Sequence, residues 1–159
     1  MRVLGYAAIL LFDAPREHML LLKRSNDKKL YPGRLSGIGG KLEQDETPLQ
    51  CLMREVREEA PQIDWDAIAV THRLTLRDIW EGEEHRMDWY TGTLNRPPED
   101  LSSEEGELVW QSTVSLPPVA EWTPSAYVVT AHLLAHPDAA AASAMLDDSG
   151  TLPFMRFTR

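Results

Sequence analysis

A glycine-rich turn followed directly by an amphipathic helix constrains this chain more than any other stretch, and it lies between Gly33 and Gln62. Thr47 suits an N-cap, Pro48 suits the first helical position, and Gln50 completes a capping box. Apolar residues then recur at helical spacing: Leu49, Leu52, Met53, Val56 and Ala60. This periodicity predicts a helix with one face turned toward a core.

Three glutamates, Glu55, Glu58 and Glu59, lie off the apolar stripe on one side of the predicted helix. Like charges at this spacing destabilise a helix by about 0.2–0.5 kcal/mol per pair. The negative end of the helix dipole disfavours them further. One interpretation is a solvated acidic face, partly neutralised by Arg54 and Arg57. The other is a site that binds a compensating cation.

The preceding glycines favour the cation site. Gly37, Gly39 and Gly40 allow the backbone to approach a ligand closely. A hard divalent ion takes carboxylate and carbonyl oxygens together, and a glycine loop facing three carboxylates supplies both. Because Mg²⁺ is usually shared with substrate phosphates, the sequence points to a phosphate ester as the ligand.

These residues resemble the signature of the Nudix hydrolases, which reads Gly, five residues, Glu, seven residues, then Arg-Glu-apolar-any-Glu-Glu-any-Gly-apolar. The matching positions are Gly40, Glu46, Arg54, Glu55, Val56, Glu58 and Glu59. Pro61 and Gln62 depart from the last two positions. Proline cannot adopt the left-handed conformation of glycine and disfavours helical angles at Ala60. We therefore expect the helix to end at or just after Glu59.

The resemblance implies a Mg²⁺ site, with Mn²⁺ as an alternative ion. The ligands carried over by position are Glu55, Glu58, Glu59, the Gly39 carbonyl and, from a later loop, Glu104 or Glu105, with Glu105 preferred. Arg54 and Glu46 are implied to orient these carboxylates, and Gly40 to hold the turn. The predicted catalytic residues are Glu55, Glu58 and Arg54. Either Glu55 or Glu58 could orient or deprotonate the attacking water, and the sequence does not decide between them.

The reaction implied is hydrolysis of a nucleoside diphosphate linked to another group, with an oxidised or ordinary nucleoside triphosphate as the leading substrate. The stretch from Gly33 to Thr47 resembles the MutT-type enzymes. A second similarity, to the animal oxidised-purine triphosphatase, covers Glu105, Trp110, Pro117 and Trp122. It implies that Trp122 stacks on the base; the alternative is that Trp122 packs at a helix start. Ser36 replaces a base-reading asparagine, and Pro124 and Ser125 replace two aspartates, so base recognition must differ.

Basic residues flank the glycine turn. Lys23 and Arg24 lead into it and Lys41 follows it, which makes all three candidates for phosphate contacts; a solvated strand end is the alternative for the first pair. His132 and His136 have a spacing that zinc can use, but no third ligand lies nearby in the sequence.

Composition restricts the class of partner. A net charge of −9 argues against a nucleic-acid polymer or an anionic membrane as the partner, and leaves a small nucleotide. The single cysteine, Cys51, fits a reducing compartment and a semi-buried structural role. The apolar run 3–12 is too short to span a bilayer, and no signal-peptide cleavage site follows it. We expect a cytoplasmic monomer or homodimer.

The remaining patterns predict one domain over residues 1–159. Predicted strands cover 3–12, 19–22, 35–38, 67–79, 86–94 and 108–111, with a second helix over 122–135, helix or linker over 139–142, and an edge strand over 152–157. Strands flanking two helices suggest an α/β/α sandwich with a mixed sheet, which is also the architecture implied by the Nudix resemblance.

Two further hypotheses stay open. The departure at Pro61 is compatible with a catalytically silent nucleotide-sensing or scaffold module. An enzyme for another diphosphate, such as a nucleotide sugar, ADP-ribose or a dinucleoside polyphosphate, would differ only in its pocket.

Overall fold

The computed structural model describes residues 1–95, 102–103 and 106–158, and within these ranges one sheet and two α-helices form the fold. The strands are β1 (Val3–Asp13), β2 (His18–Arg24), β3 (Leu35–Ser36), β4 (Ile38–Lys41), β5 (Thr71–Trp80), β6 (Glu83–Leu94), β7 (Ser102–Ser103), β8 (Gly106–Ser112), β9 (Ala142–Asp147) and β10 (Phe154–Thr158). The helices are α1 (Pro48–Glu59) and α2 (Pro124–Ala135). Neither is long and apolar enough to cross a bilayer.

The sheet is mixed, as expected. Its strands run in the order β10-β9-β5-β6-β1-β2-β8-β7, with β3 added to β2 and β4 added to β1. The pairs β1–β6 and β5–β9 are parallel, and the other pairs are antiparallel. The glycine turn therefore ends in β4, which lies directly against the central strand β1.

The two helices cover opposite faces of this sheet. Successive side chains of a strand point to opposite faces, and β1 divides accordingly: Ile9 and Leu11 belong to one core cluster, whereas Leu10 and Phe12 belong to the other. The first cluster includes Leu52 and Val56 of α1, and the second includes Val129 and Leu133 of α2. The expected α/β/α sandwich is confirmed.

Helix α1 begins and ends as the sequence predicts. Thr47 Oγ1 accepts a hydrogen bond from the Gln50 N–H at 3.1 Å, and Gln50 Oε1 accepts one from the Thr47 N–H at 2.9 Å, so the capping box is formed. The last helical residue is Glu59, and Ala60 leaves the helix with φ −136° and ψ 65°. A proline after this residue is thus accommodated by an extended φ instead of a left-handed one.

The buried face of α1 is rotated relative to the prediction. Leu49 is 48% exposed, whereas Cys51 is fully buried instead of semi-buried. The core-facing stripe therefore includes Cys51, whose thiol lies 3.5 Å from the Gly40 carbonyl of β4, and leaves out Leu49. Glu59 is buried on the same helix.

Three other predicted elements differ in detail. The 35–38 stretch contributes to two short strands that are separated by Gly37, with β3 paired to β2 and β4 paired to β1. A Cβ at Gly37 would lie 2.7 Å from the Trp89 ring. In the alanine-rich stretch, residues 139–141 form the predicted linker, whereas Ala142 begins β9, which pairs with β5. The predicted second helix starts at Pro124, two residues late, and the expected edge strand is present as β10.

Candidate active site

Arg54 is the centre of a network of charged side chains and hydrogen bonds that links α1 to β4 and to the loop between them. Its Nε and Nη2 each donate a 2.9 Å hydrogen bond to the carboxylate of Glu46, a bidentate contact. Nη1 donates to Glu55 Oε1 at 2.9 Å, and Nη2 also donates to the Lys41 carbonyl at 3.1 Å. One guanidinium therefore ties the loop before α1 to the end of β4 and fixes the direction of Glu55. The arrangement fits the orienting role expected for Arg54 and Glu46.

This network predicts a pH-dependent contribution to stability. Hydrogen bonds from Arg54 lower the pKa of Glu46 from 4.5 to about 2. A carboxyl whose pKa is lower in the folded state stabilises the fold above its unfolded pKa, and that stabilisation is lost as the pH falls. We expect Glu46→Gln to unfold at a lower temperature than the unmodified chain at pH 7. The difference should shrink between about pH 4.5 and pH 2.

Thermal unfolding followed by circular dichroism over this pH range measures the effect. Glu17→Gln is the matched control, because Glu17 is exposed in the turn between β1 and β2. A difference between Glu46→Gln and the unmodified chain that stayed constant from pH 7 to pH 2 would contradict the assignment.

Two of the three motif glutamates, Glu55 and Glu59, contact Gly40 and Gly39 of β4, which we call the glycine strand. Glu59 is only 4% exposed, and its Oε2 accepts a hydrogen bond from the Gly39 N–H at 3.1 Å. The carboxylate of Glu55 packs so closely on Gly40 that a Cβ there would lie 2.4 Å from Oε1. Both glutamates line a cavity of about 240 Å³ together with Arg24, Lys28, Ser36 and the three glycines. We call it the carboxylate cavity.

Glu58 lies apart from this cavity. Its side chain is 60% exposed, and its Oε2 is 3.6 Å from Arg54 Nη1. Within the described ranges, no three His, Cys, Asp or Glu side chains are close enough together to hold an ion, so the expected convergence of all three glutamates is not found in this structure. Protein donors orient Glu55 and Glu59 instead. Glu104 and Glu105, the candidates for a further ligand, lie outside the described residues.

The donor chemistry of the carboxylate cavity nonetheless fits a hard divalent cation. It brings two carboxylates next to backbone that only glycine permits, and hard cations prefer such oxygens. Magnesium keeps several waters and needs only one or two protein carboxylates. Burial of Glu59 also favours a positive charge beside it.

A second cavity, of about 290 Å³, adjoins the first. The two share Arg24, Ser36, Gly37, Gly39 and Gly40, so together they form one groove over β1 and β4. Rings line the second part, which we call the aromatic cavity: Tyr6, Tyr31, Trp80, His85 and Trp89. The Tyr6 hydroxyl lies 3.1 Å from His85 Nδ1 and the two rings stack, with centroids 5.7 Å apart. The groove thus has an oxygen-rich end and an aromatic end.

The model of the NUDIX domain family matches residues 1–133. This chain belongs to that family. Its fold is similar to the mutator MutT protein of Bacillus halodurans, with 19% identity, a TM-score of 0.64 and coverage of 90% of this chain and 88% of that one. It is also similar to the MutT protein of Methanosarcina mazei Go1, with 19% identity, a TM-score of 0.66 and coverage of 86% of this chain and 96% of that one. A third similar structure is the E. coli dihydroneopterin triphosphate pyrophosphohydrolase, with 19% identity, a TM-score of 0.66 and coverage of 82% of this chain and 94% of that one. The chain is a Nudix hydrolase.

The basic residues divide between the groove of this Nudix hydrolase and its outer surface. Arg24 lines both cavities, whereas Lys23 is exposed and lines neither, because neighbouring residues of β2 point to opposite faces. Lys41 is also exposed and contributes its carbonyl to Arg54. Lys23 and Lys41 line neither cavity in this structure, and a phosphate contact by either lysine stays a prediction. Lys28, which the sequence did not single out, lines the carboxylate cavity.

Trp122 does not occupy the base-stacking position that the sequence resemblance implied. It is fully buried in the core cluster of α2, where its Nε1 donates to the Pro117 carbonyl at 3.1 Å and its ring meets Tyr127 edge-on. No face of the indole is open to a base, and Trp122 does not line the groove. Base stacking by Trp122 does not fit this structure, and packing at the helix start does. Ser36 lines both cavities, as a base-binding candidate should.

Cys51 has no chemical role that its surroundings would support. The thiol lies 3.5 Å from the Gly40 carbonyl, and burial raises its pKa to about 12. A thiol with such a pKa carries almost no thiolate at pH 7. Cys51 instead packs α1 against the glycine strand.

Proposed function

We propose that this Nudix hydrolase cleaves a nucleoside triphosphate, oxidised or ordinary, to the monophosphate and pyrophosphate with Mg²⁺ or Mn²⁺. One observation carries the proposal: the carboxylate cavity opens into the aromatic cavity through five shared residues. A nucleotide has the same division, with a charged phosphate chain at one end and a flat ring at the other. The name of the E. coli relative, a triphosphate pyrophosphohydrolase with a heterocyclic substrate, supports the same class.

The metal end of the proposed site is built on α1 and β4. Glu55 and Glu59 line the cavity and are the first proposed ligands, and the Gly39 carbonyl, Glu58 and Glu105 are proposed in addition from the family pattern. A bound Mg²⁺ would polarise the phosphoryl oxygens and lower the pKa of a coordinated water. Glu58 lies one helical turn from Arg54, where a change of rotamer can bring its carboxylate toward the cavity mouth.

The chain's own residues supply orientation and charge. Arg54 holds Glu55 in one rotamer, so the carboxylate is preorganised before a ligand arrives. Arg24 and Lys28 add positive charge on the wall of the carboxylate cavity, which suits contacts with phosphate oxygens. Ser36 and the rings beyond it receive the base. A cytoplasmic location and a monomeric or homodimeric state stay predictions.

A product screen tests the proposal: chromatography follows the nucleotide products of every compound, and a pyrophosphate assay follows the triphosphates. It compares canonical and oxidised nucleoside triphosphates, nucleotide sugars, ADP-ribose and dinucleoside polyphosphates, with Mg²⁺, with Mn²⁺ and with EDTA. We expect the triphosphates to be turned over fastest and EDTA to abolish the reaction. Turnover of only nucleotide sugars, ADP-ribose or dinucleoside polyphosphates would show that the substrate belongs to that class and is not a nucleoside triphosphate. No turnover of any compound by folded protein would favour the sensing or scaffold hypothesis.

A further inference from the structure

The far wall of the aromatic cavity is acidic. Asp78 lies near the end of β5, and Asp148 directly follows β9; both line the cavity with Tyr31. Asp148 and its neighbour Leu146 lie beyond the residues that the family model matches, which end at 133. Strand β9 and the residue that follows it therefore contribute to this wall from outside the matched part of the chain.

The charges on this wall shift the pKa values of Asp78 and Tyr31. Burial raises the pKa of Asp78, and the nearby Asp148 raises it further, while His85 acts in the opposite direction. Burial likewise raises the pKa of Tyr31, with Asp148 and Asp78 adding to the effect. Arg34 stacks on the Tyr31 ring at 5.2 Å. A wall of this kind repels phosphate and offers hydrogen-bond acceptors to a ligand that carries donors.

Aromatic side chains line the same cavity. Trp89 is only 3% exposed and lines the aromatic cavity together with Trp80 and His85. The cavity therefore combines hydrogen-bond acceptors on the acidic wall with ring surface that can contact a flat ligand.

We propose that Asp78 and Asp148 select a heterocycle that carries an exocyclic amino group. The amino group would donate to the two carboxylates. Amino-bearing purines and pterins carry such a donor on a flat ring, and the ring can stack beside Trp80 and His85, whose centroids are 5.5 Å apart. This orientation of the ligand rests on the proposed function, because the proposed function places the phosphates at the carboxylate cavity.

Equilibrium binding of nucleoside monophosphates to the full chain, without metal, tests the selection. GMP and IMP differ only by an amino group, and so do AMP and purine riboside 5′-monophosphate. Calorimetry should show that the amino-bearing member of at least one pair binds about tenfold more tightly, since a hydrogen bond to a charged group has this magnitude. In Asp148→Ala and in Asp78→Ala, the ratio of the two dissociation constants within that pair should fall toward one.

Asp147→Ala is the matched control. Asp147 precedes Asp148 but bonds to Ser149 and Arg156 at 2.6 and 2.9 Å, and it does not line the cavity. Its ratio should equal that of the unmodified chain. Because Asp148 is exposed, its variant should fold even if Asp78→Ala does not.

Three results would overturn the inference: no preference in either pair, no binding at millimolar concentration, or an unchanged preference in Asp148→Ala. Its failure is separable from failure of the proposed function. An amino-group preference without pyrophosphate release from any triphosphate would refute the hydrolysis and leave the selection standing. Release without the preference would do the opposite.

Discussion

Replacing Glu59 by glutamine is expected to lower kcat for Mg²⁺-dependent pyrophosphate release by about 10²-fold or more. The substitution retains the shape of the side chain and an oxygen that can accept from the Gly39 N–H. It removes the negative charge at a position that is 4% exposed, where a cation depends on that charge most. The loss should therefore appear in catalysis and in the Mg²⁺ concentration required, with little change in the unfolding temperature.

Steady-state kinetics over a range of Mg²⁺ concentrations measure this effect, with Glu17→Gln as the control at an exposed turn. A Glu59→Gln enzyme within about threefold of the unmodified one would contradict the assignment of this glutamate as a ligand. Glu58→Gln adds a further comparison. An equal loss there would show that Glu58, 60% exposed in this structure, joins the site during turnover.

The local part of the site could be predicted from the sequence. The capping box, the end of α1 and the contact of Arg54 with Glu46 and Glu55 all depend on residues within one short stretch. Helical spacing fixes which of these side chains share a side, so spacing alone is informative. The same spacing could not distinguish Glu58, which points outward, from Glu59, which is buried against Gly39.

The aromatic cavity could not be predicted, because its walls come from strands far apart in the sequence. Tyr6, Trp80 and His85 lie on β1, β5 and β6, and they meet only once the sheet has its order. Asp148 depends on β9, whose alanine-rich sequence resembles a helix or linker more than a strand. Pattern methods detect periodicity within an element, whereas this cavity is set by the pairing of elements.

A second large effect is expected from Gly39→Ala, this time on folding. Gly39 pairs with Ala8 in β1, and a Cβ would lie 2.0 Å from the Ala7 carbonyl oxygen and 2.7 Å from the Ala8 Cα. Both are backbone atoms of the central strand, so no side chain can move aside. We expect the free energy of unfolding to fall by about 3 kcal/mol. Urea or thermal unfolding measures it, against Gly150→Ala, where a Cβ meets nothing within 4 Å.

Gly40 is the next residue in the same strand, but Gly40→Ala is expected to lower kcat more than it lowers the stability of the fold. Its Cβ would lie 2.4 Å from Glu55 Oε1, and a carboxylate at the end of a side chain can shift. The fold should then retain most of its stability, while kcat falls because Glu55 leaves the position that Arg54 gives it. Equal destabilisation by both alanines, or full activity in Gly40→Ala, would show that the close approach of β4 serves only packing and that Glu55 needs no such placement.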